Sequence, residues 1–153
     1  MGMQNLDALL ILGTWSLAIA CGGSPTDAKS GDNAAKAPAT FTEQVTRGGE
    51  VFGEHCSSCH GNGGEGTAKA PAVVGKTALP LDPPSGAQVR KSKFVTVADV
   101  AEFVTKNMPG DNPGSLSEDD YYAVLAFDLH ANGIDLDKKL DASVAASLTI
   151  PRD

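Results

Sequence analysis

Apolar positions fall along this chain in stretches of different character. Leu6 to Ala20 is nearly continuous, broken by Asp7, Gly13, Thr14 and Ser16, whereas Gly22 to Thr40 contains no large apolar residue. From Glu43 to Glu54, Val45 and Phe52 recur at helical spacing with Gly48 or Gly49 between them, and Thr42 is the expected N-cap. Val95 to Lys106 carries Val97, Val100, Phe103 and Val104, an apolar stripe that Thr96 can cap. A last helix is expected from Ser117, its cap, to Asn132-Gly133, its stop. Glu118, Asp119 and Asp120 fill its first turn, where negative charge is favoured, and Tyr121, Val124, Leu125, Phe127 and Leu129 supply its apolar face. The pattern predicts a small all-α domain over residues 41–133. Beyond it, Leu136, Leu140, Val144, Leu148 and Ile150 in a 134–153 extension either wrap the domain or serve partner docking.

The N-terminal run is too short and too interrupted for a transmembrane span. It reads as the apolar core of an export signal over residues 1–20, ending in the small residues Ala18-Ile19-Ala20. Cys21 directly after that site resembles the bacterial lipoprotein pattern, in which the thiol is lipidated; the plainer reading is signal cleavage that leaves a free Cys. Residues 21–40, rich in Gly, Ser, Pro, Ala, Asp and Lys, are expected to form a flexible tether. A lipidated Cys21 would then hold the domain near a membrane, in the periplasm of a bacterial cell envelope.

Charge narrows the partners. The formal net charge of −7 over 153 residues leaves no basic stripe for a phosphate backbone, so no nucleic-acid partner is expected. An acidic surface steers towards basic patches on other proteins. Aromatic content is 5%, few large side chains for a core, and a buried cofactor would supply the missing apolar mass. Arg90, Lys91 and Lys93 form a basic cluster that would meet acidic groups of a cofactor or a partner, or simply be solvated.

The chemistry concentrates in Cys56-Ser57-Ser58-Cys59-His60. C-x-x-C-H is the attachment signature of c-type haem: two thiols add to the two vinyl groups of one porphyrin, and the adjoining His60 is carried beneath the ring as an iron ligand. Phe52 and Gly48 precede Cys56 at four-residue intervals and so share roughly one helix face with it. The glycine-rich segment Gly61 to Gly75 is expected to be a loop, and its Pro71 carbonyl is the candidate acceptor for the second ring nitrogen of His60. Met108, ahead of Pro109 and Gly110, is held extended on a rigid loop. Met1 and Met3 lie in the signal segment, so a thioether ligand in the mature chain falls to Met108; core filler is the competing reading of that residue. His130 is the rival for a bis-His site, and a solvated helix-end His is its plainer reading.

With Gly48-x-x-x-Phe52-x-x-x-Cys56-x-x-Cys59-His60, Pro71, Met108-Pro109 and a Val124-x-x-Phe127 helix in order, residues 41 to 133 resemble a class I cytochrome c. That resemblance implies an all-α fold whose first and last helices cross around one covalently attached haem c. It implies axial ligation by His60 and Met108, with Phe52 and Pro71 in the haem-binding set. The segment from Met108 to Gly133 is similar to monohaem cytochromes found beside or fused to bacterial quinoprotein dehydrogenases. The function implied is one-electron transfer between a periplasmic dehydrogenase or respiratory complex and an oxidase or other acceptor, with no small-molecule substrate at a six-ligand iron.

Other classes are a haem sensor or peroxidase-like enzyme with an exchangeable sixth ligand, a thiol–disulfide oxidoreductase, and a zinc site. The last two lack the context they need: a βαβ frame for the first, and Cys or His beyond the spare His55 and His130 for the second.

Overall fold

A computed structural model describes residues 36–152, and these carry five helices: α1 (Phe41–His55), α2 (Ser57–His60), α3 (Val97–Asn107), α4 (Glu118–Ala131) and α5 (Ala142–Ser147). Among the described residues there is no strand, only an isolated antiparallel bridge between Thr96 and Thr149. No helix among them is long and apolar enough to cross a membrane. The proposed signal, Cys21 and most of the tether lie outside the described residues.

Helix α1 starts two residues earlier than its pattern predicts, because Thr40 and not Thr42 is the cap. Thr40 Oγ1 accepts from Glu43 N, while Glu43 Oε2 accepts from Thr40 N at 3.1 Å and Ala39 N at 2.6 Å. These backbone donors hold the Glu43 carboxyl below its ordinary pKa. The earlier start brings Phe41 into the core, with Gln44, Gly48, Val51 and Phe52 following on the buried face. Helix α3 repeats the device with Thr96 and Asp99, and Ser117 caps α4 through Asp120 N at 3.1 Å.

Helix α4 is buried on nearly all sides: Tyr121, Ala123, Val124, Leu125, Ala126, Asp128 and Leu129 are all inaccessible. A surface helix would show one apolar stripe; α4 instead lies between α1 on one side and α3 with the chain's last segment on another. The contact with α1 is backbone-close. A Cβ placed on Gly48 would fall 1.9 Å from the Ala123 carbonyl oxygen and 2.9 Å from Phe127 Cβ. At Gly49 the same atom would sit 3.5 Å from the Phe127 ring, an ordinary contact. Gly48 is therefore the position that sets the crossing. Four residues on, Phe52 meets Phe127 with ring centroids 5.1 Å apart, and Arg47 Nε donates to Asp120 Oδ1 at 2.8 Å.

Residues 134–152 wrap the domain. Leu140, Val144, Ala145 and Ile150 are buried in the cluster that holds Phe41, Val97, Val100 and Leu125. Gln44 fastens this segment to α1. Its Nε2 donates to the Leu140 carbonyl at 2.8 Å and its Oε1 accepts from Leu140 N at 2.7 Å, so a fully buried amide has both ends satisfied. The tail also pairs with the entry to α3 through Val97 N to Leu148 O and Ile150 N to Val95 O. The basic cluster disperses. Arg90 is buried, lies 3.5 Å over the Phe94 ring and donates to the carbonyls of Pro80, Leu81 and Ser92. Lys93 pairs with Asp82 at 2.9 Å.

Gly48→Ala and Gly53→Ala separate close approach from helix propensity. Both lie inside α1, but nothing stands within 4 Å of a Cβ at Gly53. Chemical denaturation should show Gly48→Ala destabilised by about 3 kcal/mol, the upper range for overpacking. Gly53→Ala should be stabilised by roughly 0.5–1 kcal/mol.

Candidate haem site

The two thiols lie where α1 gives way to the single turn of α2. Cys56 is the C-cap of α1, its N–H donating to Phe52 O, and it also opens α2. His60 N donates to Cys56 O at 2.9 Å, which closes the turn and carries the imidazole to the same end as the thiols. Both cysteines are free; Cys56 is half-buried and Cys59 exposed. Burial, followed by the Asp128 carboxylate and then Cys59, pushes the Cys56 thiol up to about 11. At neutral pH it is a thiol and not a thiolate, which is poor chemistry for disulfide exchange.

The loop after His60 is folded back on the turn. Gly66 N donates to His60 O at 2.6 Å, Thr67 Oγ1 to Cys59 O at 2.5 Å, and Val73 N to Gly64 O at 2.8 Å. This return places the Pro71 carbonyl 2.8 Å from His60 Nδ1. A carbonyl can only accept, so Nδ1 carries the proton and Nε2 keeps its lone pair for a metal. Gly66 sits at φ +85°, with Ala72 N only 2.6 Å from where a Cβ would be, so the return requires glycine there.

Met108 is the C-cap of α3 in an extended conformation, φ −121° and ψ 155°. Its carbonyl accepts from Tyr121 Oη at 2.7 Å and from Gly114 N at 3.2 Å, which fixes the Met108 backbone to α4 and to its own loop. Tyr121 is a residue that sequence reasoning counted only as apolar. The apolar wall beside Cys56 consists of Val51, Phe52 and Val124, with Val73, Leu116 and Phe127 against it. The expected site residues Phe52 and Cys56 thus share one cluster. His130, the rival ligand, and the spare His55 lie at the surface: His55 Nε2 is 3.7 Å from Glu54, and His130 Nδ1 is 2.6 Å from Asp135.

Sequence reading missed Asp128. It lies on α4 one turn beyond Val124, is 7% exposed, and its Oδ1 is enclosed with no hydrogen-bond partner. Burial alone raises its pKa well above the ordinary carboxylate range. A charged residue one turn after an apolar one at the predicted helix face was the available signal.

These residues fit a covalently held haem. Paired free thiols, a histidine with Nδ1 committed and Nε2 spare, and an apolar wall beside the buried thiol are what such a group needs from the chain. Among the described residues no three His, Cys, Asp or Glu side chains gather to hold a bare metal ion. Fold and site together define a monohaem class I cytochrome c, a haem protein of the electron-transfer kind. The family model described as "Cytochrome C oxidase, cbb3-type, subunit III" matches residues 43–127, and the chain belongs to that family. In a crystal structure of the sulfane dehydrogenase SoxCD from Paracoccus pantotrophus, one chain matches with a TM-score of 0.54 and 29% identity. The match covers 70% of this chain and 53% of that one, so the present chain corresponds to about half of it. No curated protein matches.

Because the Asp128 pKa is raised on folding, the folded domain binds a proton that the unfolded chain releases above its ordinary value of 3.8. Stability should therefore fall as pH rises from there, by up to about 1.4 kcal/mol per pH unit until the folded-state pKa is reached. Urea denaturation across that range should show Asp128→Asn gaining on the wild type steadily with pH. A constant difference between the two would mean that Asp128 is ionised in the fold.

Proposed function

We propose that this protein is a one-electron carrier with low-spin His/Met ligation, serving a periplasmic dehydrogenase or respiratory complex on one side and an oxidase or other acceptor on the other. The observation that carries the reading is the 2.8 Å approach of Pro71 O to His60 Nδ1, directly after the paired thiols. It holds the ring of His60 and leaves Nε2 with a lone pair to serve as a ligand. When bound, the haem supplies a ferric/ferrous couple, and a thioether ligand favours the ferrous state and raises the potential.

The chain's own part is positioning. Cys56 and Cys59 hold the porphyrin edge, His60 presents Nε2, and Pro71 fixes the ring plane and ligand basicity. Met108 presents its sulfur from a backbone that Tyr121 ties to α4. Phe52, Val51 and Val124 exclude water beside the attachment site. The likeness to a chain of a sulfane dehydrogenase structure supports an enzyme complex as the redox partner. The net charge of −7 favours a basic docking patch on that partner. Export through residues 1–20 and lipidation of Cys21 would keep the carrier at a membrane surface, with 21–40 as the tether.

Three outcomes are expected. The denatured protein should keep one haem increment of mass, and Met108→Ala should lose the ferric charge-transfer band and lower the potential. A band and potential unchanged by that substitution would sink Met108 as ligand. Detergent partitioning tests the anchor: the native protein should enter the detergent phase and Cys21→Ala should stay in water.

A further inference from the structure

We propose that Asp128 makes this domain a proton-coupled electron carrier: its carboxyl, enclosed under α4 beside the haem-attachment thiol, releases a proton when the domain gives up an electron and rebinds one when it gains one. The inference rests on haem being held at Cys56 and Cys59.

Helical spacing fixes where Asp128 faces. Val124, one turn before it, is in the cluster against which Cys56 and Val73 pack. Asn132, one turn after it, donates from Nδ2 to the Val73 carbonyl at 2.9 Å and accepts from Gly75 N at 2.9 Å. Residues at i, i+4 and i+8 lie on one helix face, so Asp128 points at the same attachment segment as its two neighbours on the stripe. Its Oδ1 has no donor there.

Few groups can offset a charge at this position. From α1, Cys56 is the titratable side chain coupled to it, and attachment converts that thiol to a thioether. Asn132 is neutral. The ionic groups on the surrounding elements pair elsewhere: Asp120 with Arg47, His130 with Asp135, and on α3 Lys106 with Glu102. In the loop, Glu65 accepts from Gly63 N and Lys69 donates to Ser58 O. Among the described residues no cation pairs with Asp128, and burial raises its pKa.

A buried carboxyl with no partner is costly to keep, and a leucine would fill the space without that penalty. The carboxyl becomes useful when a positive charge appears in the same low-dielectric pocket. Oxidation of the iron adds one unit of positive charge, which favours the carboxylate over the acid. The step balances: ferrous iron with a neutral carboxyl becomes ferric iron with a carboxylate, one electron passes to a one-electron acceptor protein, and one proton leaves to solvent.

The test compares haem-loaded wild type, Asp128→Asn and Asp128→Leu in equilibrium redox titrations across about pH 4 to 9, where a raised carboxyl titrates. The wild-type potential should fall with pH through a window, by roughly 59 mV in total if the acid dissociates about tenfold more readily in the ferric state. Both variants should lose that window. Redox-difference infrared spectra of the wild type should show a protonated-carboxyl band that disappears on oxidation and is missing in Asp128→Asn. An identical pH slope in the variants, carried by the haem propionates, would overturn the proposal. So would a wild type without the carboxyl band, a result that stands even if neither variant folds. The ferric charge-transfer band separates the two readings: its absence from the wild type counts against Met108 ligation, whereas an intact band with an unchanged slope counts against Asp128 alone.

Discussion

The fold depends on the contact between Gly48 and the Ala123 carbonyl. Two helices can come this close only where one of them lacks a Cβ, since that atom would fall 1.9 Å from a backbone oxygen that cannot move without α4. The approach lets Phe52 and Phe127 stack one turn further along, and beyond them Cys56 reaches the flank of α4. Each step along α1, from glycine to ring to thiol, follows from the first. The paired thiols of Cys56 and Cys59 are thus placed by a contact about two helical turns away from them.

Around that crossing the chain forms two unequal apolar groups. The larger gathers Phe41, α3, one side of α4 and the last segment; the smaller holds Val51, Phe52 and Val124 beside Cys56. Gln44 joins α1 to the last segment through two hydrogen bonds to one residue, Leu140. A fully satisfied buried amide of this kind specifies register as well as adding stability, because sliding the tail by one residue would strand both ends. Asp128, one turn beyond Val124 on α4, stands out against that pairing as the buried side chain with an unpartnered oxygen among the described residues.

Much of this could be read from the sequence. The thiol–histidine motif, the glycine loop, the α3 stripe and the start and stop of α4 are local signals, and the structure has elements at those positions. Thr40 was missed as the α1 cap because Thr42 is an equally good capping residue; what decides is Glu43 reaching back to two backbone donors. The role of Gln44 was illegible, since its partner lies 96 residues away in a segment whose apolar spacing fits wrapping or docking equally. Arg90 read as part of a basic surface run, but its carbonyl acceptors and the Phe94 ring are set by tertiary structure alone. Met108 could be singled out by position, whereas Tyr121 as the hook on its carbonyl could not.

Helix α1 also sets a polarity on the domain. The chain enters at Thr40 and reaches the thiols at the far end of a 15-residue helix, a rise of about 22 Å at 1.5 Å per residue. The entry end is flanked by the wrapped tail through Gln44, and the exit end by the Val73 loop and the flank of α4. The stretch that joins this domain to the preceding chain and the stretch that carries the paired thiols are thus at opposite ends of one helix. A load pulling on Thr40 meets the buried ring of Phe41 and then the Gln44–Leu140 clasp, with most of the length of α1 between them and the paired thiols.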